Sequence, residues 1–446
     1  MSRINDLIKR FCPNGVENKN LGDVGEFIRG NGLQKSDLID VGTPAIHYGQ
    51  IHTYYGTWTE STKSFTNTEL ATRLRYAQPG DLVIATTSED DKGVAKATAW
   101  LGNGKVAVSG DAYIYRHALN PKYVAYFFQS EPFQSQKTHG ITGTKVRRIS
   151  GNSLGKIKIP VPPIEIQQEI VRILDTFTEL EAELEAELEA RRRQYTYYRD
   201  SLLSFPETGV GTEMQTITNM NAPNNSQHII HDGNVIFGLI KKFCPNGVEF
   251  HSLADIFEMR NGYTPSKVDA SNWINGTIPW FRMEDIRENG RILNDAIQHI
   301  PASAVKGGKL FPANSIILST SATIGEHALI TIPFMSNQRF TALWPKPYFL
   351  RLFDMKFVFY YCFVLGEWCR SNITTSSFAA VDMSAFRHFK FPVPPIEIQQ
   401  KIVDILDSFD ALVNDLSVGL PAELNARRKQ YEYYRDKLLT FDEAVA

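Results

Sequence analysis

The chain has 446 residues, 43% of them hydrophobic and 22% charged, which suits two or more folded domains with sizeable cores and excludes a disordered chain. A net charge of −2, from 47 Lys+Arg and 49 Asp+Glu, excludes a uniformly basic nucleic-acid coat but not local basic surfaces. Four cysteines without CxxC spacing exclude a disulfide scaffold, and the longest apolar run, nine residues at 357–365, is too short to span a bilayer.

The first eleven residues, MSRINDLIKRF, lack the apolar centre of a secretory signal, so a cytoplasmic protein is expected. Residues 21–150 read as short strands punctuated by Gly and Pro, with one helix near 122–130. Its aromatic face (Tyr123, Tyr126, Phe127, Phe128) is expected to be core. PVPPIEIQQ at 160–168 then ends an extended segment and places proline in a first helical turn. From 164 to 205 no Gly or Pro intervenes, and Ile166, Ile170, Ile173, Phe177, Leu180, Leu184 and Leu188 recur at steps of three and four. This predicts a helical rod roughly 60 Å long. Its segment 165–190 holds nine acids against Arg172 alone, a charge pattern expected of a solvated face or a dock for a basic partner. Residues 206–236 are polar, rich in Asn and Thr, and read as a flexible connector.

The remainder repeats what precedes it. IKRFCPNGVE at 8–17 returns as IKKFCPNGVE at 240–249, agreeing at nine of ten positions. PVPPIEIQQ returns unchanged at 392–400, and RRRQYTYYRDSLLSF at 191–205 returns as RRKQYEYYRDKLLTF at 427–441. Between these blocks the copies align only in outline: PGDLVIATTS at 79–88 faces PANSIILSTS at 312–321, and Gly93 faces Gly325. A second helix is expected near 354–368. The second long helix should break at Gly419-Leu420-Pro421 and restart near Ala422.

The expected fold is α+β: two similar mixed α/β globular domains separated by two long, antiparallel coiled-coil helices, with an internal pseudo-twofold repeat. The expected parts are 1–158, a spacer helix at 159–205, the connector 206–236, a second domain at 237–390, and a C-terminal spacer helix at 391–446.

Several loops in the variable parts combine Gly and aromatics with side chains suited to base edges. In the first copy the candidates are Tyr48, Gln50, Thr86, Thr87, Ser88 and Thr144. Lys145, Arg147 and Arg148 are suited to phosphates. In the second copy they are Tyr263, Trp280, Arg282, Ser319, Thr320, Ser321, Gln338 and Arg339, with Lys306 and Lys309 as phosphate candidates. Catalytic signatures are missing from the sequence: there is no GxxxxGK[ST] and no HExxH. Asp81, Asp90 and Lys92 superficially suggest a metal-dependent nuclease, but the second copy has Asn314, Thr323 and Ile324 there. His47, His52 and His139 have no metal-ligand spacing, so neither a catalytic nor a metal site is assigned.

The paired PVPPIEIQQ segments, the helices ending in QYTYYRD and QYEYYRD, the FCPNGVE lead-ins and the order of parts resemble the specificity subunit of bacterial type I restriction-modification systems. Asn261-Gly262-Tyr263-Thr264-Pro265 resembles the family's usual start of a target recognition domain, whereas Asn31-Gly32-Leu33-Gln34-Lys35 lacks the Thr-Pro. The resemblance implies a non-catalytic subunit with two target recognition domains, each reading one half of a split, asymmetric site on double-stranded DNA. It implies helices that set the spacer and dock two methyltransferase subunits, with two restriction/motor subunits joining for cleavage. S-adenosylmethionine, ATP and Mg would belong to those partners and no cofactor to this chain. The competing expectation is a two-headed, non-enzymatic scaffold for proteins or glycans.

Overall fold

The repeated PVPPIEIQQ segment ends a strand and starts a helix in both copies of this computed structural model, which describes residues 2–205, 238, 242–375, 379–414 and 418–444. The connector expected at 206–236 lies outside the described residues. Lys158–Pro160 pairs antiparallel with Asn18–Asn20, and Lys390–Pro392 pairs in the same way with Phe250–Ser252. Proline has no N–H to extend either ladder, and a first helical turn loses nothing by its absence. The helices Ile164–Leu202 and Ile396–Asn414 follow. Past the second, Gly419 takes φ +80°, and a further helix, Leu420–Leu438, begins. A Cβ at Gly419 would sit 2.5 Å from the Ala411 carbonyl oxygen, so only glycine permits this turn.

The chain divides into two units, Met1–Glu187 with Ala422–Ala446, and Leu188–Pro421. In the first, a five-stranded sheet runs in the order Gly25–Arg29, Ala112–His117, Leu82–Ala85, Ala97–Trp100, Trp58–Thr59. All its pairings are antiparallel except the last. In the second, the order is Phe257–Asn261, Phe340–Pro345, Ser315–Ser319, His327–Ile330, Ile292–Leu293, again with only the last pair parallel. The two heads therefore share strand order and strand direction as well as fold class.

The expected aromatic helix forms as Pro121–Gln129, and Tyr123, Tyr126, Phe127 and Phe128 are all buried. Its counterpart is Met355–Ser371. Each head is bolted to its long helix by the same hydrogen bonds. Gln167 accepts from the Asn120 backbone N–H at 2.9 Å and donates to the Pro162 carbonyl at 2.8 Å. Gln399 accepts from Asp354 N–H at 2.9 Å and donates to Pro394 at 2.7 Å. Asp175 receives Lys122 at 2.8 Å and the Tyr126 hydroxyl at 2.7 Å, while Asp407 receives Lys356 at 2.6 Å and Tyr360 at 2.7 Å. Burial, and then the carboxylate beside it, raises the Tyr360 phenol well above its ordinary range, so it stays a donor. Gln167 is buried, and Gln167→Ala strands two backbone groups. We expect it to destabilise the first unit by about 2–4 kcal/mol, read as an earlier unfolding transition in denaturant.

Within the first unit, Phe177 stacks on Tyr434 at 5.5 Å, and Arg428 pairs with Glu181 at 2.6 Å and with Glu185, so the two helices run antiparallel. Ile166, Ile170 and Leu174 enter the core of the head together with Leu438 and Leu439 of the C-terminal helix. Leu180, expected in the apolar stripe, is 43% exposed. Of the acidic face, Glu181 and Glu185 hold Arg428, whereas Glu179 and Glu183 are exposed. Within the second unit, Tyr198 packs on Phe409 at 5.9 Å. Among the described residues, no helix is long and apolar enough to cross a membrane.

Candidate nucleic-acid interface

Thr87–Ser88, Arg147–Ile149 and Ile141–Thr142 form a small three-stranded sheet in the first head, with Arg147 opposite Ser88 and Arg148 opposite Thr87. Two candidate loops 60 residues apart in sequence thus become neighbours. Gly143 takes φ +92°, turning the hairpin whose tip carries the exposed Thr144 and Lys145. Arg147 is held in place: its guanidinium donates to the Gly143 carbonyl at 2.7 Å and pairs with Asp91 at 3.0 Å. Arg148 is exposed.

The short helix Tyr48–Thr53 approaches the same sheet. His52 Nε2 lies 2.9 Å from the Thr87 carbonyl oxygen, and Lys96 donates to the His52 carbonyl at 3.2 Å. His52 fits no metal-ligand spacing in the sequence, and only the fold brings it beside Thr87. The Tyr48 backbone is anchored on Ser109 Oγ at 2.9 Å, and Tyr48 joins Asn31, Lys35, His47 and Asp111 around a cleft of about 490 Å³. Gln50 is committed locally: it donates to Ser64 Oγ at 2.8 Å and accepts from the His47 N–H at 3.1 Å. His47 Nδ1 accepts from the Gly49 N–H, and burial depresses its pKa despite the nearby Asp111.

In the second head the turn at 336–339 gathers the candidates. Tyr263 N–H donates to Ser336 at 2.7 Å, Asn337 N–H to Phe281 at 3.1 Å, and Thr320 N–H to Arg339 at 3.0 Å. The exposed Gln338 accepts from the Thr264 hydroxyl. Arg339 is exposed and forms no ion pair among the described residues. Lys306 Nζ stands 5.7 Å from the Tyr263 ring centre, and Arg282 lies 5.8 Å from the Trp280 ring. A Cβ at Gly262 would come 2.0 Å from the Asn337 carbonyl oxygen, so glycine allows the two loops to touch.

The structure buries five of the candidates: Thr86, Thr87, Trp280, Ser319 and Thr320 are each at most 8% exposed. Trp280 is a core residue whose indole N–H donates to the Tyr263 carbonyl at 2.9 Å. Thr86 bonds the Asp111 carbonyl at 2.9 Å, Ser319 bonds the Ser321 carbonyl at 2.9 Å, and Thr320 lies 3.2 Å from the Thr341 hydroxyl. These side chains turn inward because a hydroxyl beside a buried strand satisfies local backbone groups better than it would face solvent. Thr87 Oγ1 is buried without a partner among the described residues. Ser88, Thr144, Lys145, Arg147, Arg148, Tyr263, Arg282, Ser321, Gln338 and Arg339 retain surface.

The two aspartates of the nuclease-like trio serve structural tasks. Asp81 pairs with Arg116 at 3.0 Å, and Asp90 caps the Gly93 N–H at 2.6 Å. Among the described residues, no cluster of His, Cys, Asp and Glu is arranged to hold a metal.

Two α+β heads of one topology, each bolted to a long helix and carrying a different polar surface, define a duplicated two-headed fold. A family model described as type I restriction modification DNA specificity domain matches residues 13–190 and 245–426. The chain is 59% identical over 203 residues to an Escherichia coli type I restriction enzyme EcoprrI specificity subunit, covering 44% of this chain and 51% of that protein. It thus spans about half of that relative's length. It is 37% identical over 335 residues to the E. coli EcoR124I/EcoR124II specificity subunit, covering 72% of this chain and 70% of that protein. A solved chain from work on complex assembly and conformational transition of the type I restriction-modification system superposes with a TM-score of 0.62 at 16% identity, covering 96% of this chain and 98% of that one, a likeness of fold. The chain belongs to the type I restriction-modification DNA specificity family.

Proposed function

We propose that this chain is the DNA-specificity subunit of a type I restriction-modification complex. Each head reads one part of a split, asymmetric site on double-stranded DNA; the long helices set the unread spacer and dock two methyltransferase subunits, with two restriction/motor subunits joining for cleavage. The observation that carries this reading is one sheet topology occurring twice with different residues on its loops: a basic hairpin at 143–148 in one head and the Gln338-Arg339 turn in the other. Family membership supports it. The chain recognises rather than catalyses, and S-adenosylmethionine, ATP and Mg act in the partner subunits. The test is to map methylated adenines in cells with and without this chain. A bipartite motif that disappears with the chain is the expected result; a continuous motif, or an unchanged methylome, contradicts the reading.

Exposed Arg148 is assigned to a phosphate. Arg148→Ala in the assembled complex should weaken binding several-fold across all sequences and reduce the slope of log affinity against log salt by about 1. An unchanged salt slope in a titration series removes Arg148 from the backbone contacts.

A further inference from the structure

Each head carries a strained turn directly after its hydroxyl cluster. In the first, Ala95 takes φ +61°; in the second, Ala322 takes φ +66° and Gly325 φ +87°. A left-handed backbone at a residue with a Cβ is uncommon and persists only where its surroundings over-determine it. In both heads a cation at the penultimate position of a helix bonds backbone carbonyls of this turn. Lys137, in Glu131–Thr138, is 2% exposed, and its Nζ donates to the carbonyls of Asp91 at 2.9 Å, Lys92 at 3.3 Å and Val94 at 3.0 Å, with Gln134 Oε1 as a fourth acceptor. Arg370, in Met355–Ser371, donates to the Ile324 carbonyl at 3.2 Å. It lies so close to Gly325 that a Cβ there would be 2.6 Å from Nη1. The sequences of the two turns differ, yet the device recurs.

Both turns lead into the candidate surface. Asp91 pairs with Arg147 of the basic hairpin, and Thr320, just before the second turn, donates to the Arg339 carbonyl. We propose that Lys137 and Arg370 are positioning residues for DNA recognition, each fixing the turn of its own head through backbone carbonyls and so setting the reach of the loops that meet the duplex. The proposal rests on the DNA-reading role above.

The two cations differ in one consequential respect: lysine titrates in an accessible range and arginine does not. Burial pulls Lys137 from its ordinary 10.5 down to about 8, against the opposing pull of Asp91 and Asp90. The charged groups facing it are Asp90 and Asp91 from the turn and, through Asp91, Arg147 from the hairpin; its own helix contributes the neutral Gln134. Arg370 is held charged by Glu367. Deprotonation removes one of three donors from a site with four acceptors. Because the folded pKa lies below the unfolded one, the unfolded chain binds more protons between about pH 8 and 10.5, and Lys137 adds stability as pH rises through that window. A loss of recognition there is therefore not unfolding of this site.

The test uses the full chain assembled with its methyltransferase subunits and duplex libraries randomised in one half-site at a time, at pH 7 and pH 9. The unsubstituted complex should lose about tenfold in discrimination at the first half by pH 9, for one charged hydrogen bond lost, and nothing at the second. Lys137→Met should show that loss already at pH 7 with no further pH dependence, Lys137→Arg should flatten the profile, and Arg370→Met should affect only the second half. Unchanged discrimination in Lys137→Met, or both halves falling together, overturns the proposal. If Lys137→Met does not assemble, a flat first-half profile in the unsubstituted complex overturns it equally. A failure of the DNA-reading role itself looks different: the unsubstituted complex would discriminate neither half at any pH.

Discussion

Replacing residues 21–150 with the equivalent segment of another family member is expected to rewrite one half of the methylated sequence and leave the other half untouched. The first head carries its own recognition-candidate hairpin, and its core, running from Leu82 and Ile84 through Tyr115 to Phe127 and Phe133, is completed by Ile166, Ile170, Leu174, Leu438 and Leu439 of the retained helices. A donor must therefore match that apolar face as well as the polar attachments to the retained flanks. Tyr123 donates to the Pro160 carbonyl at 2.9 Å, Lys122 and Tyr126 reach Asp175, and the Asn120 N–H reaches Gln167. The second head meets its own long helix through Lys356, Tyr360 and Asp354 in the same way, so a donor that brings a Lys, a Tyr and an amide N–H to those places, and an apolar face for Ile166, Ile170 and Leu174, can be seated on the rod. Each mismatched base pair costs about 1–3 kcal/mol, so a donor reading two or three different bases should abolish methylation at the old half-site. Methylated-base sequencing decides the matter: a motif changed in both halves, or in neither, defeats the assignment of one half-site to one head.

What could be read before the fold was seen follows the physics of each part. The nine-letter identity of PVPPIEIQQ was legible, and several of its letters are constrained: prolines stop a two-stranded ladder, Ile166 and Ile398 enter the core, and Gln167 and Gln399 each satisfy two buried backbone groups. The break at Gly419 was legible because Gly-Leu-Pro has few other uses. Strand order was not, since strands as short as Trp58–Thr59 carry no usable alternation and pair in parallel with partners some forty residues away. The basic hairpin was visible as a charge cluster, but its neighbour Ser88 was not assignable to it from spacing alone. The burial of the hydroxyl clusters was not legible: at Thr86 and Ser319 a polar letter beside a strand marks an inward bond to backbone, and nothing local separates that use from an outward one. Lys137 was invisible for the converse reason, because a lone lysine on an amphipathic segment reads as solvated until the carbonyls around it are placed.

The spacer offers the sharpest mechanical test. Adding Glu-Leu-Glu-Ala after Ala190 extends the run EAELEAELEA by about one helical turn, or about 6 Å, and keeps the apolar positions nearly in phase. The insertion falls near the division between the two units at Glu187 and Leu188, and the other helical stretch already ends at Asn414 and restarts at Leu420 after Gly419. With duplex DNA rising about 3.4 Å per base pair, the preferred spacer should lengthen by one or two base pairs while both half-sites stay as they were. A two-residue insertion at the same place is the control. It rotates everything beyond it by about half a turn and takes Tyr195, Tyr198 and Leu202 off their buried face, so it should abolish assembly rather than reset the spacer. If the four-residue variant methylates the original spacing, the helix does not measure the gap; if it changes a half-site, the heads are not read independently of the rod.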